Sequence, residues 1–193
     1  MNEKQDLPVI AFASREAWDV WLAEHHTSSD GLWLKIAKQG SDIASISYAG
    51  ALEVALCYGW IDSQKAKFDA EHWLQRFTPR RPRGKWSKAN RDKAEELIAR
   101  GLMKPAGLQE VEQARADGRW EAAYAGQRSM TIPDDLRLAL EKNERAREFF
   151  ATLDSRNRYA ILYRIQTARK PETRAQRIEK FIAMLGEHEK IYP

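Results

Sequence analysis

Between positions 60 and 90 the chain collects side chains suited to gripping an anion. Arg76 and Arg80 offer guanidinium forks, Thr78, Ser87 and Asn90 are short polar donors, Asp62 is placed to orient Arg76, and Trp60 and Trp86 offer flat walls for a base or sugar. A guanidinium matches phosphate or carboxylate through two parallel N–H donors. A helix opening at Ser87 adds outward-pointing backbone N–H groups and the positive end of its dipole. The stretch RFTPRRPRGKWSKAN, residues 76 to 90, carries six cations and no acid in fifteen positions. From Arg76 to Lys93 eight basic residues stand against one acid, Asp92, an excess larger than the net +4 of the whole chain, so the remainder is slightly acidic. A structural reading competes with the functional one. In it Arg76 pairs with Asp62 across a ribbon, Trp86 plugs the core, and Arg81, Arg83 and Lys85 are simply solvated. Exposed ion pairs contribute only about 0–1 kcal/mol each, so stability alone does not call for so many cations.

Other chemistry is thinly represented. Four histidines, at 25, 26, 72 and 188, and one cysteine, Cys57, have no metal-ligand spacing, and neither a GxGxxG, a P-loop nor a GxSxG motif occurs. Cys57 lies mid-helix on an apolar stripe and reads as a small core residue rather than a nucleophile. No catalytic residue, metal or cofactor is therefore expected. The lone cysteine excludes an internal disulfide and favours a reducing compartment. The start of the chain has no signal-peptide pattern, and the most apolar window, ISYAGALEVALCYGWI, is too short for a bilayer crossing and contains Glu53. A cytoplasmic protein without membrane insertion is the expectation.

The elements that must position these residues follow from periodicity. Ser14 caps a helix through REAWDVWLAEHH, GLWLKIAKQ alternates as a strand, and SYAGALEVALCYGW returns to helical period with Gly59 as its stop. WIDSQKAKF and HWLQRFT then form a hairpin about Ala70, which sets Asp62 opposite Thr78 and Gln64 opposite Arg76, all on one face of the ribbon. A one-residue slip would separate them. Ser87 starts a helix closed by Gly101, and KPAGLQEVEQARADG gives another. After a linker, Pro133 opens three amphipathic helices, DDLRLALEKNERAREFFATL, SRNRYAILYRIQTAR and PETRAQRIEKFIAMLGE, with Ser155 and Thr173 as starts and Pro171 as a break. Arginines of the last two alternate with acids as ordinary surface chemistry. The expected fold is α+β, a small mostly antiparallel sheet packed with helices over residues 1–124, a linker over 125–132 and a helical module over 133–193.

CYGWIDS, RFTPR, WSKAN and GLMKPAGLQEVEQARADGRW, with IPDDLRLALEKN and ARKPETRAQRIEKFIAML in the tail, resemble the YdeI/OmpD-associated family, also called bacteriocin-protection proteins. The resemblance covers nearly the whole chain. It implies an α+β part with an appended helical module and a role in envelope stress or bacteriocin tolerance, without naming an activity. The residues and the resemblance together lead to an accessory protein that binds a phosphate- or carboxylate-bearing small molecule at a basic cleft. Two alternatives stand beside it: an adaptor that meets a protein partner through its C-terminal helices, and an enzyme acting on a phosphorylated ligand with Asp62 as general base. Nucleic acid is a further candidate partner.

Overall fold

The computed structural model describes residues 7–126 and 129–193. Gln127 and Arg128 of the expected linker, and the first six residues of the start read for a signal peptide, lie outside them. By internal packing the chain divides into two compact units, one formed by the chain up to Gly84 together with Asn90–Glu121, the other by Lys85–Ala89 with Ala122 onward.

The first unit is a four-stranded sheet with helices. In chain order it has β1 (Val9–Ala11), α1 (Arg15–His25), β2 (Leu32–Ala37), α2 (Tyr48–Cys57), β3 (Trp60–Lys67) and β4 (His72–Pro79), then most of α3 (Lys88–Ala99) and α4 (Pro105–Ala116). The strand order is β1-β2-β4-β3, with β1 parallel to β2 and the remaining pairs antiparallel. Ser14 caps α1 by accepting from the Ala17 N–H at 3.3 Å, the expected start. Leu32 and Leu34 of β2 share a face with Phe77 and Gln75 of β4, and α1 covers that face: the Trp18 ring lies 5.8 Å from Phe77 and 6.2 Å from Trp60. Trp18, Leu22, Leu32, Leu34 and Phe77 are fully buried there. The α2–α4 contact is close enough that a Cβ on Gly107 would sit 2.3 Å from the Cys57 carbonyl oxygen, so only glycine fits. The three-residue β1 has too little alternation to be read from sequence and is an addition to the expected elements.

The second unit's helices are α5 (Asp134–Glu141), α6 (Glu144–Thr152), α7 (Ser155–Gln166) and α8 (Pro171–Gly186). The first of the three expected helices is thus two. Lys142 closes one and Asn143 caps the next, its Oδ1 accepting from the Ala146 N–H at 3.0 Å, a local bond that competes with a continuous helix. The cap of α7 is Asp154, with Ser155 its first helical residue, and α8 begins at Pro171 rather than Thr173, because proline at the first helical position lacks only an N–H that would be unsatisfied anyway. Leu136, Leu140, Phe150, Ile161, Ile165, Phe181 and Leu185 form this unit's core. The protein is α+β, with eight helices among the described residues and a mixed, mostly antiparallel sheet. No described helix is long and apolar enough to cross a membrane.

Candidate functional site

The hairpin keeps the expected register near its turn and loses it further out. Lys67 pairs with Trp73, Ala66 with Leu74 and Lys65 with Gln75, but a bulge between Asp62 and Lys65 shifts the outer part by one, so Asp62 faces Phe77 and Ile61 faces Thr78. Asp62 consequently lies on the helix-covered face and Arg76 and Thr78 on the other. The expected grouping of Asp62 and Gln64 with Arg76 and Thr78 is therefore corrected, and Asp62 does not orient Arg76. Its Oδ2 instead accepts a hydrogen bond from the Tyr48 hydroxyl of α2 at 2.7 Å. Burial, with that bond adding to it, raises the phenol's pKa. Arg76 stands opposite Trp33 of β2, and its Nε is buried without a hydrogen-bond acceptor among the described residues.

Three further residues are more enclosed than the sequence suggested. Trp60 is 1% exposed and donates its indole N–H to the His26 carbonyl at 3.1 Å, so it offers no open wall. Trp86, also 1% exposed, is likewise a core side chain. Arg80 is buried, and it lies near Glu110 and Arg119: burial raises the Glu110 pKa, and the two guanidinium charges oppose that rise. Arg119 in turn binds Asp117 and donates to the Gly84 carbonyl at 2.9 Å, which fastens the Pro82–Arg83 turn from below. That turn is closed by Gly84 N–H to the Arg81 carbonyl at 2.8 Å and holds Arg83 at φ 63°, with Arg81 and Arg83 exposed. Trp86 and Ser87 belong to the second unit and Asn90 to the first. Ser87 does precede a helix, α3, but the first helical N–H, that of Lys88, donates to the Tyr124 carbonyl at 2.8 Å and is not open to a ligand.

The geometry instead opens a hollow at the hairpin tip. A cavity of about 690 Å³ is lined by Lys38, Lys65, Lys67, Phe68, His72 and Trp73, with Asp69 at its rim. Lys65 Nζ sits 4.7 Å above the Trp73 ring and 5.4 Å above Tyr48, so an ammonium is held over aromatic faces. Lys38 Nζ donates to the carbonyls of Asp69 and Ala70 at 3.0 and 2.8 Å, tying the turn to the end of β2. Burial pushes the Asp69 carboxyl up, but the His72 ring and the Glu71 and His72 backbone N–H groups outweigh it and bring the pKa down to about 2. Phe68, 49% exposed, flanks the opening. This arrangement can hold negative charge against ammonium groups and a flat group against indole. The one thiol, Cys57, lies elsewhere in the unit, and burial pushes its pKa up to about 11. No cluster of His, Cys, Asp and Glu able to hold a metal ion occurs among the described residues. The lysines of β3 and the inner register that sets Lys65 and Lys67 on the face of Trp73 were available to sequence reading, but the bulge that turns Asp62 away from Arg76 was not.

The fold and this hollow define an α+β protein with a cationic, aromatic-walled surface and an appended helical unit. A family profile described as a domain of unknown function (DUF8412) matches residues 10–110, just over half of the sequence, and the chain belongs to that family. Residues 129–188 match the profile described as Bacteriocin-protection, YdeI or OmpD-Associated, which bears out the resemblance over the tail. Neither the curated proteins nor the solved structures returned a match.

Proposed function

We propose that the protein is a cytoplasmic accessory protein of stress or bacteriocin tolerance whose first unit binds a small phosphate- or carboxylate-bearing ligand. The observation that supports this reading is the hairpin-tip hollow, whose lining combines Lys38, Lys65 and Lys67 with Trp73 and Phe68 and includes one carboxylate, Asp69, which pairs with Lys35 at 3.7 Å. Arg76, with an unanswered buried Nε, is a second cationic point on the other face of the same sheet. Binding, with no covalent step, is the proposed activity. The organisation proposed with it is a core over 1–124, a linker over 125–132 and a helical module over 133–193. Calorimetric titration of the full chain with tripolyphosphate and with citrate tests the reading. Removing both ammonium groups in Lys65→Ala/Lys67→Ala is expected to weaken binding about tenfold or more; equal affinity in wild type and variant refutes it. A slope of log affinity on log salt that steepens with oligonucleotide length would place nucleic acid ahead of the small molecule.

A second reading is an adaptor that recruits a protein through its helices, favoured by Leu138 on α5 and Ile132 just before it, 49% and 40% exposed. Loss of partner capture in Leu138→Glu, with tripolyphosphate binding unchanged, would select it.

A further inference from the structure

Helix α7 has two faces of different character. Asn157, Ile161 and Ile165 are buried on one side, while Arg156, Tyr159, Ala160 and Tyr163 recur at intervals of three and four residues on another, with Arg164 beside them. These last five residues and Tyr192 line a cavity of about 350 Å³ within the second unit. Its floor is the small side chain of Ala160, and its walls are three phenol rings and two guanidinium groups, with no carboxylate among them.

The walls are held in place. Asn157, 1% exposed, uses both ends of its amide on the backbone of Tyr192, donating to the carbonyl at 3.1 Å and accepting from the N–H at 2.9 Å. That pairing fixes the Tyr192 ring where the Arg156 guanidinium stacks on it at 4.2 Å and Arg164 lies 5.9 Å from it. A guanidinium stacked through its face keeps its N–H donors directed outward in its own plane. Arg156 joins no ion pair among the described residues, and the carboxylate nearest in sequence, Asp154, is engaged in accepting the Asn157 N–H at 2.7 Å. Tyr163 packs edge-on to Tyr124 at 5.0 Å and beside Tyr159 at 5.7 Å, and Lys85 lies 4.9 Å over its ring. Burial, with Tyr124 and Tyr163 adding to it, raises the Tyr159 pKa, so its hydroxyl keeps the proton it would donate.

We infer that this pocket is a binding site for a ring-bearing phosphate of mononucleotide size, the phosphate between Arg156 and Arg164 and the planar ring against the tyrosines. The volume lies at the lower end of the range for small-ligand cavities, about 300–1,000 Å³, which suits one nucleotide. Guanidinium forks suit the phosphate geometrically, and base-on-aromatic stacking favours a planar ring.

Titration of the full chain with AMP, UMP, phenyl phosphate, ribose 5-phosphate, adenosine and inorganic phosphate tests it. AMP and UMP are expected to bind at one per chain and to shift the ring resonances of Tyr159, Tyr163 and Tyr192. Adenosine and ribose 5-phosphate, which each lack one half, should bind at least about tenfold more weakly, and Arg156→Gln/Arg164→Gln should weaken AMP by a similar factor or more while Lys65→Ala/Lys67→Ala does not. The assignment is overturned by no AMP binding at millimolar concentration, by undiminished affinity in the Arg156→Gln/Arg164→Gln variant, or by ribose 5-phosphate binding as tightly as AMP. Binding of phenyl phosphate without AMP overturns the nucleotide size.

Discussion

Both units are rich in aromatic rings and cations, but they use them differently. In the first, Trp18, Trp60 and Phe77 interlock beneath the sheet, and Arg119 is consumed by Asp117 and the Gly84 carbonyl. In the second, Tyr159, Tyr163 and Tyr192 are only half-buried and meet Arg156 and Arg164 around an open cavity. The same residue chemistry serves cohesion where the rings are sealed on every side and recognition where one face stays wet. A run of arginines is therefore a poor guide to a binding site; what decides is how much of their hydrogen-bonding capacity is taken up, and Arg164 gives only one of its N–H groups to an acceptor among the described residues, the Ala160 carbonyl at 3.1 Å.

A pair of substitutions should break this contrast if it is wrong. Trp60→Ala is expected to destabilise the protein by about 3–5 kcal/mol, because the indole is sealed in the core. Tyr192→Leu, at a half-open ring, should cost about 1 kcal/mol or less while reducing AMP affinity. Chemical denaturation of both variants, read by the denaturant midpoint, makes the comparison; similar losses would erase the distinction.

A smaller effect sharpens it within the first unit. Tyr48→Phe removes the hydroxyl that donates to Asp62 and should lower stability by about 0.5–1.5 kcal/mol. Arg76→Ala in the same assay should change stability less, since the two side chains are on opposite faces. If Tyr48→Phe were silent and Arg76→Ala costly, Asp62 would have to be supporting Arg76 after all.

The smallest effect is in pH. Asp69 has a folded pKa of about 2, below the ordinary value of about 3.9. A depressed carboxyl contributes stability that is present above the unfolded value and is lost as pH falls through the folded one. The turn should thus loosen between about pH 4 and pH 2, seen by NMR as coupled titration of the Asp69 carboxyl and the Glu71 and His72 amides. Loss of those shifts already near pH 5 would contradict the assignment.

Much of the first unit was legible from alternation and caps: Ser14, the β2 strand and the inner hairpin register all follow from local rules. The outer register was not. Straight alternation along β3 would carry Trp60 to the face of Ala66, away from Trp18; the bulge returns the indole to the core, where burying a side chain of that size gains more than the lost ladder bond costs. No glycine marks the irregularity, so only the packed structure reveals it. The enclosure of Arg80 and Trp86 was hidden for a similar reason, since it depends on Arg119, Glu110 and Tyr124, remote in sequence. In the tail, the spacing of Arg156, Tyr159 and Tyr163 was visible in the sequence and reads as a solvated helix face until Tyr192 is seen to close one side.

The β3 bulge has one more effect. β3 is the outermost strand of the sheet on that side, with backbone groups that a strand from another molecule would otherwise recognise. Its break in regular spacing, and the ammonium groups of Lys65 and Lys67 along it, make a poor template for such growth. The kink that moves Asp62 away from Arg76 thereby also discourages chain-to-chain stacking into aggregates.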